Sequence, residues 1–217
     1  MTNVLHISSS PRGEKSESLA LASTFLEELA RVDPTLSIDH WDLWDGSLPS
    51  FGPDGAGAKM QVFAGAEPEG AQEVAWHRAR NAFERFAKAD VYVFSVPMWN
   101  AGVPYILKQF IDVVSQPGMM FNFDPGRGYE GLLKERTAVV LYTSAVYGRG
   151  RAASFGADFQ APYLEDWLGW AGIDDVSSLE FRPNFATADS AGDRRVALEK
   201  ARDLAHALGN RLRLDAL

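Results

Sequence analysis

Asp90-Val91-Tyr92-Val93-Phe94-Ser95-Val96-Pro97 decides the architecture. Apart from Ser95, the run from Val91 to Val96 is unbroken apolar sequence, rich in β-branched and aromatic residues. A strand with one wet face alternates apolar and polar residues, whereas a continuous apolar run belongs to a parallel strand covered on both faces. The flanks agree. Gln72 to Ala89 before it has helical periodicity, and Pro104 to Ser115 after it reads as a helix with proline in its first turn.

Working outward, Val4 to Ile7 is a short buried strand that stops at Ser8-Ser9-Ser10-Pro11-Arg12-Gly13. The turn opens a helix in which Leu19, Leu21, Ala22, Phe25, Leu26 and Leu29 recur at helical spacing, with Ser16 or Ser18 as N-cap. Leu36 to Trp41 alternates as a second strand. Arg136 to Ser144 and Val176 to Phe181 are further strands, and Tyr163 to Ala171 and Ser190 to Leu212 are helices. Five strands interleaved with helices imply an open α/β sheet with right-handed crossovers, which binds ligands beyond the carboxyl ends of its strands at a switch point. Two segments break the alternation. Asp42 to Pro68 is a Gly/Pro-containing excursion with a helical patch only at Ala58 to Phe63, and Phe121 to Gly131 is expected to project as a loop or hairpin.

Composition narrows the function classes. The 217 residues, 46% hydrophobic and 23% charged, suit one domain over 1–217. A formal charge of -8 and a pI near 5.0 disfavour a nucleic-acid or anionic-membrane surface, so an anionic ligand must be held by local donors. Without cysteine there is no disulfide, thiolate nucleophile or Cys-ligated metal. The amino terminus lacks the features of a secretory leader, and no stretch reaches the roughly 18 unbroken apolar residues of a membrane span. The expected location is cytoplasmic.

Three loops come to the same sheet edge. Between the first strand and helix, Ser9, Ser10, Ser16 and Ser18 supply hydroxyls, the helix start supplies unpaired N–H groups and a positive dipole end, and Arg12 and Lys15 add positive charge. That is a phosphate pocket, or else a Ser-rich turn with an ordinary cap. Pro97-Met98-Trp99-Asn100-Ala101-Gly102-Val103-Pro104 is a stiff loop offering an aromatic, an amide and backbone groups to the polar edge of a flat heterocycle. Thr143-Ser144-Ala145-Val146-Tyr147-Gly148 has small residues that permit close approach to a ring. Other signals are discounted. Gly126-Arg127-Gly128-Tyr129-Glu130-Gly131 matches G-x-G-x-x-G but no strand runs directly into it, and it reads as a turn. His6, His40, His77 and His206 lack metal-ligand spacing, no metal site is expected, and His6 reads as a packed structural residue.

V-L-H-I-S-S-S-P-R-G-E-K-S-E-S from Val4, V-P-M-W-N-A-G-V-P-Y-I-L-K-Q-F-I-D from Val96, F-N-F-D-P-G-R-G-Y-E-G-L from Phe121 and T-S-A-V-Y-G from Thr143 resemble the FMN-dependent NADH azoreductases and the related quinone reductases over nearly the whole chain. The resemblance implies a flavodoxin-like doubly wound five-stranded parallel sheet with helices on both faces. It implies FMN as cofactor, NADH or NADPH as co-substrate, a quinone or azo acceptor, and a homodimer. By position, Ser10, Ser16, Glu17 and Ser18 would hold the FMN phosphate, Met98, Trp99, Asn100 and Ala101 would border the isoalloxazine, and Ser144, Ala145, Val146 and Tyr147 would close its other side. Phe121 and Phe123 would stack near a flavin, a partner's included. No protein residue is nominated as catalytic acid or base, because the chemistry belongs to the cofactor. The chain departs from the family pattern at Trp99, where a tyrosine is usual, and at Ser144 to Gly148, where Ser-Arg-Gly-Gly is usual. NADPH would want a cation for its extra phosphate, and Arg127, Arg149 and Arg151 are the nearby candidates. Two rival readings are an electron-transfer flavodoxin and a serine-based hydrolase.

Overall fold

A computed structural model describes residues 2–215. Its central sheet comprises β1 (Asn3–Ser8), β2 (Ser37–Asp42), β3 (Val91–Pro97), β6 (Thr137–Thr143) and β7 (Asp175–Phe181), in the order β2-β1-β3-β6-β7 and parallel throughout. A separate antiparallel pair, β4 (Phe121–Asp124) and β5 (Gly128–Gly131), makes Phe121 to Gly131 a hairpin, so Gly128 to Gly131, read as part of a turn, is strand that follows closely on β4. The chain steps from β1 outward to β2, then crosses back to β3 and continues the other way. That reversal opens a crevice beyond the carboxyl ends of β1 and β3.

The decisive strand serves two cores. Val91 and Val93 pack with Leu21, Phe25 and Leu29 of α1 (Glu17–Val32) and Ala201 and Ala205 of α6 (Ser190–Asp215). Tyr92, Phe94 and Val96 face the opposite layer, α3 (Ala71–Ala87), α4 (Tyr105–Val114) and α5 (Ala161–Ala171). There the Phe86 ring stacks on Tyr92 at 4.3 Å and Trp167 meets Phe94 edge-on at 6.3 Å. Alternate residues of one apolar strand thus tie both helix layers to the sheet.

The excursion after β2 holds a longer helix than its periodicity suggests. α2 spans Pro53–Phe63, with Pro53 in its first turn, and packs on α3. Gly55 and Gly57 lower its helical propensity and hid its first half. A Cβ at Gly57 would lie 2.5 Å from the Gln72 side-chain nitrogen, the far end of a flexible side chain that would have to shift.

Gly131, at the base of the hairpin, is tighter still. A Cβ there would lie 2.3 Å from the Ala171 carbonyl carbon and from the Gly172 nitrogen, both backbone atoms that cannot swing aside. Gly131→Ala is therefore expected to destabilise by about 2–3 kcal/mol through overpacking and to lower the melting temperature by roughly 5–10 °C. Gly126→Ala at the hairpin tip serves as the near-neutral control, and equal melting curves for the two would refute the packing argument.

His6 is the structural residue expected of it. It is buried on β1, its Nδ1 3.1 Å from His40 Nδ1 and its Nε2 3.1 Å from Ser95 Oγ. The Nδ1 contact is satisfied when His40 Nδ1–H donates to His6 Nδ1 and His6 carries its own proton on Nε2, donating to Ser95 Oγ. Burial first, and the charge of His40 second, lower the His6 pKa from 6.5 to about 4. The folded state thus holds this ring neutral where the unfolded chain protonates it. Its stabilising contribution is full above pH 6.5 and falls with pH, by about 2 kcal/mol at pH 5. Urea unfolding at pH 7.5 and pH 5 checks this, with His6→Asn expected to flatten the difference.

Candidate functional site

The site forms where β1, β3 and β6 end. Ser9 continues β1 and is anchored to the end of β3, its amide and its hydroxyl both donating to the Ser95 carbonyl at 3.3 and 2.9 Å. Ser16 caps α1, its Oγ accepting from the Leu19 amide at 3.3 Å and lying 3.1 Å from Ser18 Oγ. The amides of Glu17 and Ser18 find no acceptor among the described residues, which leaves the first turn of α1 open as a donor. A cavity of about 100 Å³ lies here, lined by Ser10, Arg12, Ser16 and Glu17 and closed by Met98, Trp99, Ser144 and Asn184. Ser10, Ser16 and Ser18 are buried polar residues clustered at a helix N-terminus. The Glu17 carboxylate is drawn off by Arg194 of α6 at 2.8 Å, so it places no free negative charge in the pocket.

Beyond Met98 the chain makes a two-residue turn in which Trp99 and Gly102 exchange N–H···O bonds of 2.9 Å. Asn100 (φ +48°) and Ala101 (φ +69°) are both left-handed. Asn tolerates this; alanine does so at a cost of about 1 kcal/mol. The strain is held by the reciprocal bonds and by the Phe159 amide donating to Ala101 O at 2.9 Å. Met98 N donates to Thr143 O at 2.7 Å, fixing this loop to β6.

After β6 the loop from Ser144 to Gly148 has its carbonyls engaged. Ser144 O accepts from the Asn184 amide at 2.7 Å, Ala145 O from Phe185 and Ala186, Val146 O from Arg151 Nη1 at 3.0 Å, Tyr147 O from Ser144 Oγ and Gly148 O from the Arg151 amide. The amides of Ala145 to Gly148 have no acceptor among the described residues. The loop lines a second cavity of about 230 Å³ with Met98, Asn100, Ala101, Phe155, Gly156 and Ala157. Met98, Ser144 and Ala145 line both cavities, so the two form one trough.

The trough gathers the residues singled out on its three loops, with Ser18 behind Ser16. Phe121 is a correction. Its ring is 2% exposed, wedged beside Trp170 at 4.7 Å and Tyr129 at 5.3 Å, and has no open face on which to stack. Phe123, two residues nearer the hairpin tip, is 52% exposed. Sequence alone does not single out Asn184 or Arg182, and it reads Trp44 only as a core or interface indole. Asn184 joins from the segment after β7. Trp44 donates from Nε1 to Ser9 O at 3.0 Å and packs 5.9 Å from Trp99, bracing two of the loops. Arg182 is fully enclosed, paired with Asp158 at 3.0 Å and Glu180 at 2.6 Å, with its Cζ over the Tyr142 and Tyr147 rings. It also donates to Gln160 Oε1 at 3.1 Å, and Gln160 donates on to Val96 O at 2.9 Å. Burial opposes the Glu180 charge, but hydrogen bonds from Arg149 and Arg182 outweigh it and keep the carboxyl below its usual range.

Among the described residues there is no cluster of three or more potential metal-ligating side chains and no helix long and apolar enough to cross a membrane. A doubly wound sheet with a donor-lined cradle at its switch point defines a class, and the chain belongs to it: the family model for the flavodoxin-like fold matches residues 2–205. Within that class the chain is 46% identical over 199 residues to the FMN-dependent NADH:quinone oxidoreductase of Ruegeria pomeroyi, covering 91% of this chain and 98% of that one. The crystal structure of an azoreductase from Bacillus anthracis strain Sterne superposes with a TM-score of 0.83 at 25% identity, over 95% of this chain and all of that one. An FMN-dependent NADH-azoreductase from the Ames Ancestor strain, solved in complex with FMN, shares the fold with a TM-score of 0.86 at 22% identity, over 96% of this chain and all of that one.

Proposed function

We propose that this protein is an FMN-dependent oxidoreductase that takes hydride from NADH and reduces quinones, with azo compounds as further acceptors. The observation that carries this reading is the trough itself, a pocket of hydroxyls and open amides at the start of α1 that runs into a wider cavity flanked by Met98 and Tyr147. A dianionic phosphate suits the first part, because its donors carry no free carboxylate among them. Ser10, Ser16, Ser18 and the Glu17 amide hold it. Met98, Trp99, Asn100 and Ala101 on one side and Ser144, Ala145, Val146 and Tyr147 on the other border the ring. When bound, FMN supplies the hydride-accepting and electron-donating chemistry; the protein orients, desolvates and offers donors.

NADH is favoured over NADPH because two of the three nearby arginines are committed, Arg149 to Glu180 at 2.6 Å and Arg151 to loop carbonyls. The chain acts as one domain, in the cytoplasm, as a homodimer whose partner meets the exposed Phe123. A hydrolase reading loses Ser9 as its nucleophile, since that hydroxyl is buried and donates to a carbonyl.

The test is a visible absorption titration with FMN, followed by anaerobic NADH and then a quinone. A saturable flavin spectrum that bleaches with NADH and returns with quinone is expected. A protein that takes up no flavin would overturn the reading, and one that binds flavin but is not reduced by NADH would point to the electron-transfer flavodoxin.

A further inference from the structure

We infer that Arg151 is a positioning residue that shapes the ring-facing side of this trough and raises the reduction potential of the cofactor held there. The inference rests on the FMN reading above. Arg151 lies outside both cavities, yet one guanidinium touches three of the segments around the wider one. Nη1 donates to Val146 O at 3.0 Å, Nη2 donates to Ala186 O, and Cζ lies 4.7 Å above the Phe155 ring. Ala186 N and Phe185 N in turn donate to Ala145 O. Among the described residues the exposed backbone from Ala152 to Ala157 otherwise has only local bonds, Phe155 N to Ala152 O and Gly156 N to Ala153 O. Arg151 is thus what ties that outer wall to the loop after β6.

The consequence is electrostatic. With each of its carbonyls already accepting a hydrogen bond, the loop's unpaired backbone groups are the amides of Ala145 to Gly148, and donors preorganised toward developing negative charge stabilise it. Two-electron reduction adds negative charge to the flavin's pyrimidine edge. A loop whose unpaired backbone groups are donors therefore favours the reduced cofactor over the oxidised one. The loop Ser144-Ala145-Val146-Tyr147-Gly148 carries no cation of its own, and a guanidinium reaches its Val146 carbonyl from Arg151. Lysine cannot replace it fully, having neither the planar fork nor the stacking face.

The experiment measures the midpoint potential of bound FMN in wild type, Arg151→Ala, Arg151→Lys and Arg149→Ala. It also follows hydrogen exchange at Asn184 to Ala186 and Phe155 to Gly156 in the cofactor-free proteins. Arg151→Ala is expected to weaken reduced FMN about tenfold relative to oxidised FMN, a potential lower by about 30 mV, with Arg151→Lys in between and faster exchange at both segments. Arg149→Ala, which removes an equal charge two residues away, is expected to leave the potential unchanged. An unchanged potential in the Arg151 variants overturns the inference, as does an equal drop in Arg149→Ala, which would mean that charge alone acts. Exchange rates unaltered by Arg151→Ala would overturn the clamp without reference to FMN. Failure of the wild type to bind FMN is read separately and strikes the functional reading.

Discussion

Ser16→Asp is expected to lower FMN affinity by on the order of a thousandfold while leaving the fold intact. Aspartate caps a helix as well as serine does, so the Leu19 amide keeps its acceptor and α1 its start. The new carboxylate would, however, stand in the cavity of about 100 Å³ assigned to the phosphate. Two unit charges 4 Å apart repel by about 4 kcal/mol at an effective dielectric constant of about 20. Riboflavin, which has the ring but no phosphate, is the internal control. Fluorescence titrations should show riboflavin affinity nearly unchanged and FMN affinity collapsed. Equal losses for both ligands would mean that the substitution deforms the whole trough, and no loss for either would place the phosphate elsewhere.

Arg182→Met should destabilise the protein by about 3–5 kcal/mol, because it removes one partner of a buried charge network and leaves the other behind. Asp158 faces this guanidinium at 3.0 Å and also accepts from the amides of Gln160 and Ala161, so it cannot swing out to water without uncapping α5. Glu180 keeps Arg149 and suffers less. A fall in melting temperature of roughly 10 °C is expected for a chain of this size. Asp158→Asn paired with Arg182→Met should recover part of it, since the stranded carboxylate is then gone. If the double substitution is no better than the single one, the loss comes from packing against Tyr142 and Tyr147 rather than from charge.

The sheet was legible because its signal is local. Val91 to Val96 needs no partner to announce a strand covered on both faces, and serines after an apolar run announce a helix start at Ser16 wherever the chain goes next. What escaped depends on contacts between residues far apart in the chain. Arg182 meets Gln160 and Tyr142 only after folding, and Trp44 looks like any indole until it reaches Ser9. Phe121 shows a different failure. It and Phe123 lie two residues apart on one strand and share a face, yet the base of the hairpin rests on α5 while its tip projects, so one ring is enclosed and the other is bare. Periodicity reports a face and says nothing of where along the strand the support ends.

The turn from Trp99 to Gly102 has a kinetic consequence. Asn100 and Ala101 are held in left-handed conformations by the protein's own bonds, those exchanged by Trp99 and Gly102 and that from the Phe159 amide to Ala101 O. Their distortion is therefore settled during folding, and a ligand arriving at this edge of the trough meets a wall already set. Stopped-flow traces should accordingly be single exponentials whose rate climbs linearly with flavin concentration, without the plateau that marks a slow rearrangement before or after encounter.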